Sequence, residues 1–504
     1  MALSVVHTRA SLGIDTPAIQ VEVHLSPGLP AFHIVGLPEA SVREARDRVR
    51  SALINSGFEF PARRITVNLA PADLPKEGGR FDLAIAIGIV AAAGQIKADW
   101  LEDVELTGEL ALSGELRPIR GALPFAHACY KDGRTLILPL QNAEEAALIG
   151  GLKLYAATRL LEVFQHLNGQ QTLPLFTAEK PPEPSPEQPD LKDVTGQQTA
   201  KRALEIAAAG GHHILFAGPP GTGKTMLASR LAGILPPMSE EESLQTASLH
   251  SIAGHGLEPQ HWRCRPFRHP HHTASAIALV GGGSPPKPGE VSLAHNGVLF
   301  LDELPEFDRR VLDVLREPLE SGSVSISRAA HQALFPAAFQ LVAAMNPSPT
   351  GSIDDGRSTC EQILKYLNRL SGPFLDRIDL QVEVPRQSIT HHSDAAQPSE
   401  SSNTVRKRVL LARDRQLQRQ QKTNAQLAGS EVDKHCPLDN EDRLFLQQAC
   451  EKLGLSMRSY HRILKVARTI ADLDKQTRVD RNALAEALQY RAFDRLLSQF
   501  ARPL

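Results

Sequence analysis

Gly218-Pro219-Pro220-Gly221-Thr222-Gly223-Lys224-Thr225 is the stretch of this sequence that decides the fold. An apolar run, residues 214–217, enters this stretch, and residues 226–235 leave it with a helical pattern. Strand, glycine-rich loop and helix in this order predict a P-loop, because glycines let backbone N–H groups approach phosphate oxygens at a helix N-terminus. We therefore predict an α/β fold in which all eight residues bind ATP, Lys224 reaches the β- and γ-phosphates, and Thr225 ligates Mg²⁺.

Two further strands end in polar residues that fit the same site. Residues 298–301 form an apolar run followed by Asp302 and Glu303, and residues 339–345 form another followed by Asn346. We expect Asp302 to hold the Mg²⁺ shell and Glu303 to orient and activate water. Asn346 could hold that water near the γ-phosphate. The plainer alternatives are an acidic strand end without function and a turn before Pro347.

The composition is that of a globular chain. With 504 residues and 42% hydrophobic residues, it has material for two or three domains. The net charge of −2 gives no overall attraction to nucleic acid, so such contacts require local basic patches.

The five cysteines form no CxxC pair, which argues against disulfides and suits a reducing cytoplasm. No secretory signal is evident, and the longest apolar run, residues 83–93, is too short for a bilayer, so we expect a cytoplasmic protein without a membrane partner.

Two linkers divide the chain. Residues 177–190 hold five prolines and four acidic residues, and residues 387–404 include a Ser/Glu/Pro-rich stretch. They predict an N-terminal domain over 1–176, a nucleotide-binding core over 191–386 and a helical domain over 405–504. In the first domain, residues 18–25, 64–69 and 133–138 predict strands, whereas 38–56 and 81–93 predict helices. In the last, helices are predicted over 405–426, 444–453, 460–473 and 481–500.

Together these elements resemble the AAA+ ATPases. The resemblance narrows at residues 268–275 (RHPHHTAS), 279–283 (LVGGG), 289–297 (GEVSLAHNG) and 370–380 (LSGPFLDRIDL). The chain looks like the magnesium-chelatase-like branch of AAA+, specifically the ComM/YifB family of competence-associated helicases, over essentially its whole length. The resemblance implies a P-loop AAA+ core with a C-terminal helical lid, preceded by an α+β domain.

The same resemblance implies roles for single residues. Asn346 matches the sensor-1 position, and Arg377 matches an arginine finger that reaches the γ-phosphate bound by the neighbouring subunit. Arg458 matches sensor 2 on the lid, with Arg462 as an alternative. Salt bridges on a helix face are the structural alternative for both Arg377 and Arg458. A finger that acts between subunits implies a ring, and the family assembles as hexamers.

The N-terminal domain resembles a Lon-type protease domain at residues 75–80 (PKEGGR) and 107–110 (TGEL). Protease members place a serine nucleophile where Arg80 stands here, and their lysine base falls near Leu123. Without a Ser–Lys pair there is no activated nucleophile. We therefore expect a non-proteolytic domain that helps assembly or DNA guidance.

The chain departs from the family pattern just after the sensor-1 strand. Many family members carry a cysteine cluster there that looks like a zinc site, whereas residues 346–352 contain no cysteine and Cys360 alone remains nearby. We expect no structural zinc at this place. Another segment must then hold the loop.

Residues 236–296 form a long insertion between the P-loop and the acidic strand, and in this branch such an insertion projects toward the central pore. Its histidines and arginines include Arg268, His271 and His272. Three interpretations stay open: a metal site in the His-Pro-His-His run, histidines buried or stacked beside a loop, and a nucleic-acid contact by Arg268 and His271.

Two more segments are candidates for DNA binding. Residues 322–332 predict a hairpin that matches the pre-sensor-1 hairpin of pore-threading helicases, with Arg328 and His331 as contacts, or else an ordinary surface hairpin. The helix at 405–426 carries seven basic residues, which could bind phosphates or form a solvated face. Contacts of this sort would be independent of DNA sequence and sensitive to salt.

The function implied by the resemblance is an ATP-dependent, hexameric DNA motor. It would promote branch migration on single-stranded, duplex or branched DNA during homologous integration of incoming DNA, with recombination proteins as candidate partners. ATP and Mg²⁺ are the expected cofactors. The alternatives are a chelatase motor that serves metal insertion into a porphyrin and an ATP-dependent unfoldase or protease. The sequence does not indicate the preferred DNA structure or polarity.

Overall fold

The computed structural model describes residues 3–36, 40–96, 101–177, 189–255, 261–283, 286–328, 331–353, 355–387 and 399–501. Most of the two predicted linkers lies outside these ranges. We call residues 3–177 the N-terminal region, 189–387 the central region and 399–501 the C-terminal region. Among the described helices, none combines the length and apolar character needed to cross a membrane.

The N-terminal region is built on a mixed sheet. Its strands are β1 (Leu3–Arg9), β2 (Ala18–Ser26), β3 (Ala31–Val35), β4 (Arg64–Ala70), β5 (Val104–Leu106), β6 (Glu109–Leu110), β7 (Leu116–Arg117), β8 (Thr135–Pro139) and β9 (Leu154–Ala157). The sheet order is β3-β4-β2-β1-β5-β8-β9, and β6 and β7 pair separately. The pairs β1-β2 and β2-β4 are antiparallel, whereas β1-β5, β5-β8 and β8-β9 are parallel. The strands predicted at 18–25, 64–69 and 133–138 correspond to β2, β4 and β8.

Six helices accompany this sheet in the described ranges. They are α1 (Ala40–Arg43), α2 (Ala45–Asn55), α3 (Asp82–Ala92), α4 (Ala122–Lys131), α5 (Ala143–Ala146) and α6 (Leu160–Leu167). The apolar helix α3 is buried almost throughout, as its sequence predicts. The single helix predicted at 38–56 is wrong, because α1 and α2 are separated at Glu44. That residue keeps helical φ and ψ of −65° and −21°, so the break interrupts the hydrogen bonding rather than the direction of the chain.

A parallel five-stranded sheet lies at the centre of the central region. The strands of this region are β10 (Ile214–Ala217), β11 (Phe267–Arg268), β12 (Gly281–Gly282), β13 (Lys287–Pro288), β14 (Val298–Leu301), β15 (Ser323–Arg328), β16 (His331–Pro336), β17 (Gln340–Met345) and β18 (Leu380–Glu383). The sheet order is β11-β14-β17-β10-β18, and all its pairs are parallel. The three inner strands β14, β17 and β10 are almost wholly apolar because both faces of the sheet are covered, with alternate residues joining two different cores.

The helices of the central region cover both faces. They are α7 (Gln198–Gly210), α8 (Lys224–Ile234), α9 (Glu240–Ala253), α10 (Ala276–Val280), α11 (Glu290–Leu293), α12 (Arg309–Val314), α13 (Arg316–Ser321), α14 (Cys360–Leu367) and α15 (Gly372–Leu375). Two antiparallel hairpins, β12-β13 and β15-β16, stand outside the sheet. The second confirms the hairpin predicted around residues 322–332.

The C-terminal region is helical: α16 (Ser402–Gln420), α17 (Ser430–His435), α18 (Asn440–Leu453), α19 (Met457–Leu473), α20 (Arg481–Gln489) and α21 (Ala492–Ala501). Two predicted helices are corrected. The one at 405–426 ends at Gln420, because buried Asn424 turns the chain back and donates to Thr469 and Asp472. The one at 481–500 divides into α20 and α21, because the Tyr490 carbonyl accepts from the Gln381 amide and so extends the sheet edge.

Six of the seven basic residues on the predicted helix at 405–426 are paired within the chain, and Arg406, Arg408 and Arg413 thereby hold α16 on the central region, which argues against both the phosphate-binding and the solvated-face interpretations. Arg406 donates to the Gly233 carbonyl at 2.8 Å, and Arg408 pairs with Glu205 and Glu400. The others bind partners of the same kind: Arg413 with the Ala208 carbonyl, Arg415 and Arg419 with Asp472, and Lys422 with Glu431. These six cations are therefore committed within the chain. The exception in the stripe is the exposed Lys407.

The N-terminal region packs directly on the central region through α9. Leu123 and Phe125 of α4 share a buried cluster with Ala247 of α9. The Gly121 amide donates to the Ser251 carbonyl at 3.2 Å. A second contact joins the β1-β2 turn to β16, where a β carbon on Gly13 would lie 2.9 Å from the Leu334 carbonyl oxygen. The N-terminal region is thus seated against a helix of the insertion and against the hairpin β15-β16.

Candidate functional site

The P-loop lies between β10 and α8, at the carboxyl edge of the parallel sheet. Gly223 has φ of +88° and immediately precedes Lys224, the first residue of α8, so the helix N-terminus opens on this loop. A β carbon on Gly218 would lie 2.2 Å from the Val384 carbonyl oxygen, so this position requires glycine. The loop therefore has the backbone geometry that a phosphate cradle needs.

Parallel pairing brings the three predicted strand ends together. Ala217 of β10 is paired with Met345 of β17, and Leu301 of β14 with Ala343. The residues that follow these strands therefore emerge at one edge of the sheet.

Lys224 is buried beside the predicted sensor residue. Its Nζ donates to the carbonyls of Gly218 and Pro219 at 2.7 and 2.9 Å, and to Asn346 Oδ1 at 3.1 Å. Burial lowers the pKa of the Lys224 ammonium, an effect opposed by the nearby carboxylates of Asp302 and Glu303. The structure thus places Lys224, Asn346 and the acidic pair around one point.

Thr225 and Asp302, the predicted Mg²⁺ ligands, are in direct contact. The Thr225 hydroxyl donates to Asp302 Oδ2 at 2.8 Å, and Asp302 Oδ1 accepts from the Glu303 amide at 2.9 Å. Both side chains offer hard oxygen donors, which is the chemistry that Mg²⁺ prefers. Thr225 and Asp302 therefore fit an Mg²⁺ ion that would lie beside phosphates held by the P-loop.

Glu303 contacts a histidine to which the sequence gave no catalytic role. His272 Nδ1 lies 3.2 Å from Glu303 Oε2. The His272 ring lies against His271, with centroids 4.2 Å apart, and meets the edge of Phe307. Glu303 itself has φ of +52°, a strained value for this residue type that sets the direction of its side chain. His272 lies within the insertion at residues 236–296, and no pattern in the sequence indicates that it pairs with Glu303.

Arg377, the predicted arginine finger, pairs within its own chain. Its guanidinium binds Glu320 of α13 and the Pro373 carbonyl, and its Nε has no hydrogen-bond partner among the described residues. The described contacts of Arg377 include none with the P-loop. The arginine is therefore held by a carboxylate at a place separate from Lys224 and Asn346.

Arg458 and Arg462 of α19 face the segment that carries Arg377. Arg458 is exposed, and its Nη1 lies 3.8 Å from Asp376 Oδ2. Arg462 is mostly buried and points at the carbonyls of Leu375 and Ile378 and, at 3.8 Å, at Asp379. Both therefore lie beside the segment that carries Arg377 in this structure. Their predicted sensor-2 role stays a prediction.

A buried network fastens the same segment to the sheet and the lid. His212 Nδ1 lies 2.9 Å from Asp379 Oδ2, and its Nε2 lies 2.8 Å from Thr469 Oγ1 on α19. These ion-pair contacts with His212, together with Arg462, hold the pKa of the Asp379 carboxyl below its usual range although burial opposes this. Sequence reasoning missed this network, because its members come from three distant segments.

The DNA-contact candidates have different surroundings. Arg268 is paired within the chain, since both its Nε and Nη2 donate to Glu290 at 2.7 Å in a bidentate pair, and its contact with DNA stays a prediction. His271 is exposed and lies 2.9 Å from the Thr273 hydroxyl. Arg328 and His331 are paired across the β15-β16 hairpin, but their side chains lie outside the described residues.

Hydroxyl groups hold the loop after the sensor-1 strand. Ser348 Oγ donates to the Ser352 carbonyl at 2.7 Å, and Thr350 bonds to the hydroxyl of Ser358 at 3.0 Å. Across the ranges that the structure describes, no three histidine, cysteine, aspartate or glutamate side chains converge as a metal site of that kind requires.

Three family models match successive parts of the chain. The model "Magnesium chelatase, subunit ChlI" matches residues 190–392, "Subunit ChlI of Mg-chelatase" matches 21–142, and "Magnesium chelatase, subunit ChlI C-terminal" matches 399–491. Their boundaries follow the central, N-terminal and C-terminal regions.

Curated relatives match over the full length. The chain is 56% identical to "Competence protein ComM" of Haemophilus influenzae, over 99% of this chain and 100% of that protein. It is 54% identical to the protein YifB of Escherichia coli, over 99% of this chain and 98% of that protein. A shorter match, 29% identical over 161 residues, relates 29% of this chain to 20% of a Lon protease of Rhizobium meliloti.

Proposed function

Because this chain belongs to the ComM/YifB family of magnesium-chelatase-like AAA+ proteins, we propose that it is an ATP-dependent DNA motor that acts as a hexamer. Its activity is branch migration during the integration of transforming DNA. One observation carries the proposal: the P-loop, Asp302, Glu303 and Asn346 meet at one sheet edge, whereas Arg377 is held elsewhere by Glu320. A site divided in this way is completed by a neighbouring subunit.

The residues at the sheet edge perform the hydrolysis of the terminal phosphoanhydride bond. Lys224 stabilises the negative charge that develops on the β- and γ-phosphates. Thr225 and Asp302 hold Mg²⁺, which neutralises phosphate charge when bound. Glu303 accepts a proton from the attacking water, and Asn346 orients that water. Arg377, released from Glu320, stabilises the transition state in the adjacent subunit.

Arg458 of α19 lies beside the segment that carries Arg377. We assign it to the neighbour's nucleotide as well, because its described partner is Asp376 beside the finger.

The pair His272–Glu303 supplies a link between DNA and hydrolysis. His272 follows β11 and precedes α10 and the β12-β13 hairpin, the part of the insertion that faces DNA in this proposal. A carboxylate engaged by His272 is not free to accept a proton from water. DNA that displaces the histidine run therefore releases Glu303 and raises the rate of hydrolysis.

The role in competence rests on the relative's name. The ComM protein, which is 56% identical over its full length, is described as a competence protein. Recombination proteins that pair incoming DNA with the chromosome are the partners that this role requires.

A junction assay tests the proposed motor. Wild type, Lys224→Ala and Arg377→Ala are compared for migration of a four-way or three-strand DNA junction, with ATP hydrolysis measured with and without DNA. We expect both variants to lose migration, and Arg377→Ala to retain nucleotide binding. A wild-type protein whose ATPase ignores DNA and which moves no junction contradicts the proposal.

A chelatase motor is the second candidate. The family models carry the chelatase name, and one of them matches residues 21–142, so the N-terminal region gives no ground for separating this chain from chelatase subunits. Stimulation of the ATPase by a porphyrin and a partner chelatase subunit, with none by DNA, favours this candidate. Arg80 stands at the Lon serine position and Leu123 near the lysine position, so these places lack the Ser–Lys pair that Lon-type proteolysis requires.

A further inference from the structure

A cavity lies at the junction between the N-terminal and central regions, away from the nucleotide site. Its volume is about 100 Å³. The β1-β2 turn and the segment around Arg80 line one side, and Ile252, Lys287 and Ala333 line the other. Since one water needs about 10–15 Å³ of such space, the cavity holds a group of several water-sized atoms, such as a tetrahedral oxyanion.

Three basic side chains from different segments reach this cavity. Arg80 and Arg120 belong to the N-terminal region, and Lys287 belongs to β13 of the central region. Glu77 also lines the cavity. The three cations against this carboxylate leave a local excess of two positive charges, which matches the charge of a phosphate group.

Arg80 is the best-placed ligand because it is incompletely paired. Its Nη2 donates to the Arg120 carbonyl at 3.2 Å, whereas its Nη1 is shielded from solvent and has no hydrogen-bond partner among the described residues. Burial lowers the pKa of Arg80 to about 10, although Glu77 opposes the shift. A buried donor without an acceptor destabilises a fold unless a ligand supplies the acceptor.

Arg120 and Lys287 extend the site toward the central region. The Arg120 side chain crosses to the end of α9, where a β carbon on Gly254 would lie 2.9 Å from its Nε. For both exposed residues, the described part of the chain shows no ion pair with the charged head group. Guanidinium groups match phosphate oxygens in a bidentate fork, and an ammonium adds a point charge.

We propose that Arg80, Arg120 and Lys287 form a phosphate-binding site that ties the N-terminal region to the β12-β13 hairpin. The phosphate is either that of a free compound or one from a DNA strand that passes the hairpins. A DNA strand as the source of the phosphate rests on the proposed DNA motor, whereas phosphate binding at this site does not.

Phosphate binding to the full-length chain tests the site. Sodium phosphate is titrated by calorimetry, at constant ionic strength, into protein that carries Lys224→Ala so that every sample has the same weakened P-loop. In this background we expect Arg80→Gln to weaken binding about tenfold or more, and Lys287→Gln to weaken it a few-fold. Arg117→Gln, at an exposed position of the same region, is the control with the same charge change and no effect.

The outcome that overturns the site is phosphate affinity unchanged in both Arg80→Gln and Lys287→Gln, or no phosphate binding. If Arg80→Gln does not fold, the exposed Lys287 carries the same test. Anisotropy of a fluorescent single-stranded oligonucleotide then identifies the source. If the site binds a phosphate of a DNA strand, both variants weaken DNA binding, and free phosphate competes with the oligonucleotide. Unchanged DNA affinity with lost phosphate binding identifies a free phosphate compound.

Discussion

His272 Nδ1 lies 3.2 Å from Glu303 Oε2, so a histidine of the insertion contacts the carboxylate expected to activate water. The two residues are distant along the chain but follow neighbouring strands of the sheet, since His272 comes after the edge strand β11 and Glu303 after β14. This contact joins the segment proposed to sense DNA to the residue that controls hydrolysis.

Removing the histidine should uncouple hydrolysis from DNA. In His272→Ala, Glu303 is free in the absence of DNA, so we expect the basal ATPase rate to rise and the stimulation by DNA to fall toward onefold. Steady-state phosphate release with and without single-stranded DNA measures both. His24→Ala, at an exposed position of β2, is the matched control. A variant that keeps the wild-type stimulation shows that the pair has no coupling role.

Variants of the ion pair between Arg377 and Glu320 test whether Arg377 is catalytic or structural. If Arg377 acts on the neighbour's nucleotide, Arg377→Ala should lower kcat by about 10³-fold or more with nucleotide binding retained. Glu320→Gln should keep most of the activity, because the finger leaves this carboxylate when it acts. ATPase assays of both variants at equal oligomer concentration check this. Equal losses in the two variants would mean that the ion pair merely holds the fold.

Asp472 holds the C-terminal region together. It is almost fully buried and accepts hydrogen bonds from Arg419, Arg468 and Asn424. Asp472→Ala leaves buried guanidinium groups unpaired, so we expect it to lower the free energy of unfolding by about 3–5 kcal/mol. Asp474→Ala, which breaks a half-exposed pair with Arg202, should cost less than about 1 kcal/mol. Urea unfolding measures both, and similar losses would contradict the account.

Two histidines with lowered pKa values predict acid sensitivity. Burial lowers the pKa of His213 and of His295 to about 4, and their Nδ1 atoms accept from the amides of Leu341 and Ala338. Because these pKa values lie below the unfolded value of about 6.5, the unfolded chain binds more protons, and stability falls as pH drops from about 6.5 to 4. His295→Asn keeps a hydrogen-bond acceptor at this position but removes the titrating group. We therefore expect the stability of this variant to fall less steeply as the pH drops. An unchanged pH dependence of the melting temperature would contradict this.

The nucleotide site was predictable because parallel sheets impose it. Once residues 214–217, 298–301 and 339–345 are strands of one parallel sheet, the residues that follow them must meet at its carboxyl edge. Lys224, Asp302 and Asn346 obey that rule. Local patterns were sufficient for this part of the fold.

Pairs made across the fold were not predictable in the same way. The basic stripe on α16 looks like a free surface along the sequence, yet Glu205, Glu431 and Asp472 engage it from other elements. The break between α20 and α21 follows from the Gln381–Tyr490 hydrogen bond with β18, which no helical period encodes. His272 and Glu303 belong to the same class of long-range partners.

The central claim, that one active site is shared between subunits, is tested most directly by mixing two inactive variants. Lys224→Ala lacks a working P-loop but offers Arg377, whereas Arg377→Ala keeps the P-loop. In randomly mixed rings, half of the P-loops are intact and half of their neighbours supply the arginine, so we predict recovery of about a quarter of the wild-type ATPase rate. An ATPase rate of the mixture no higher than the mean of the two variants alone would contradict the account.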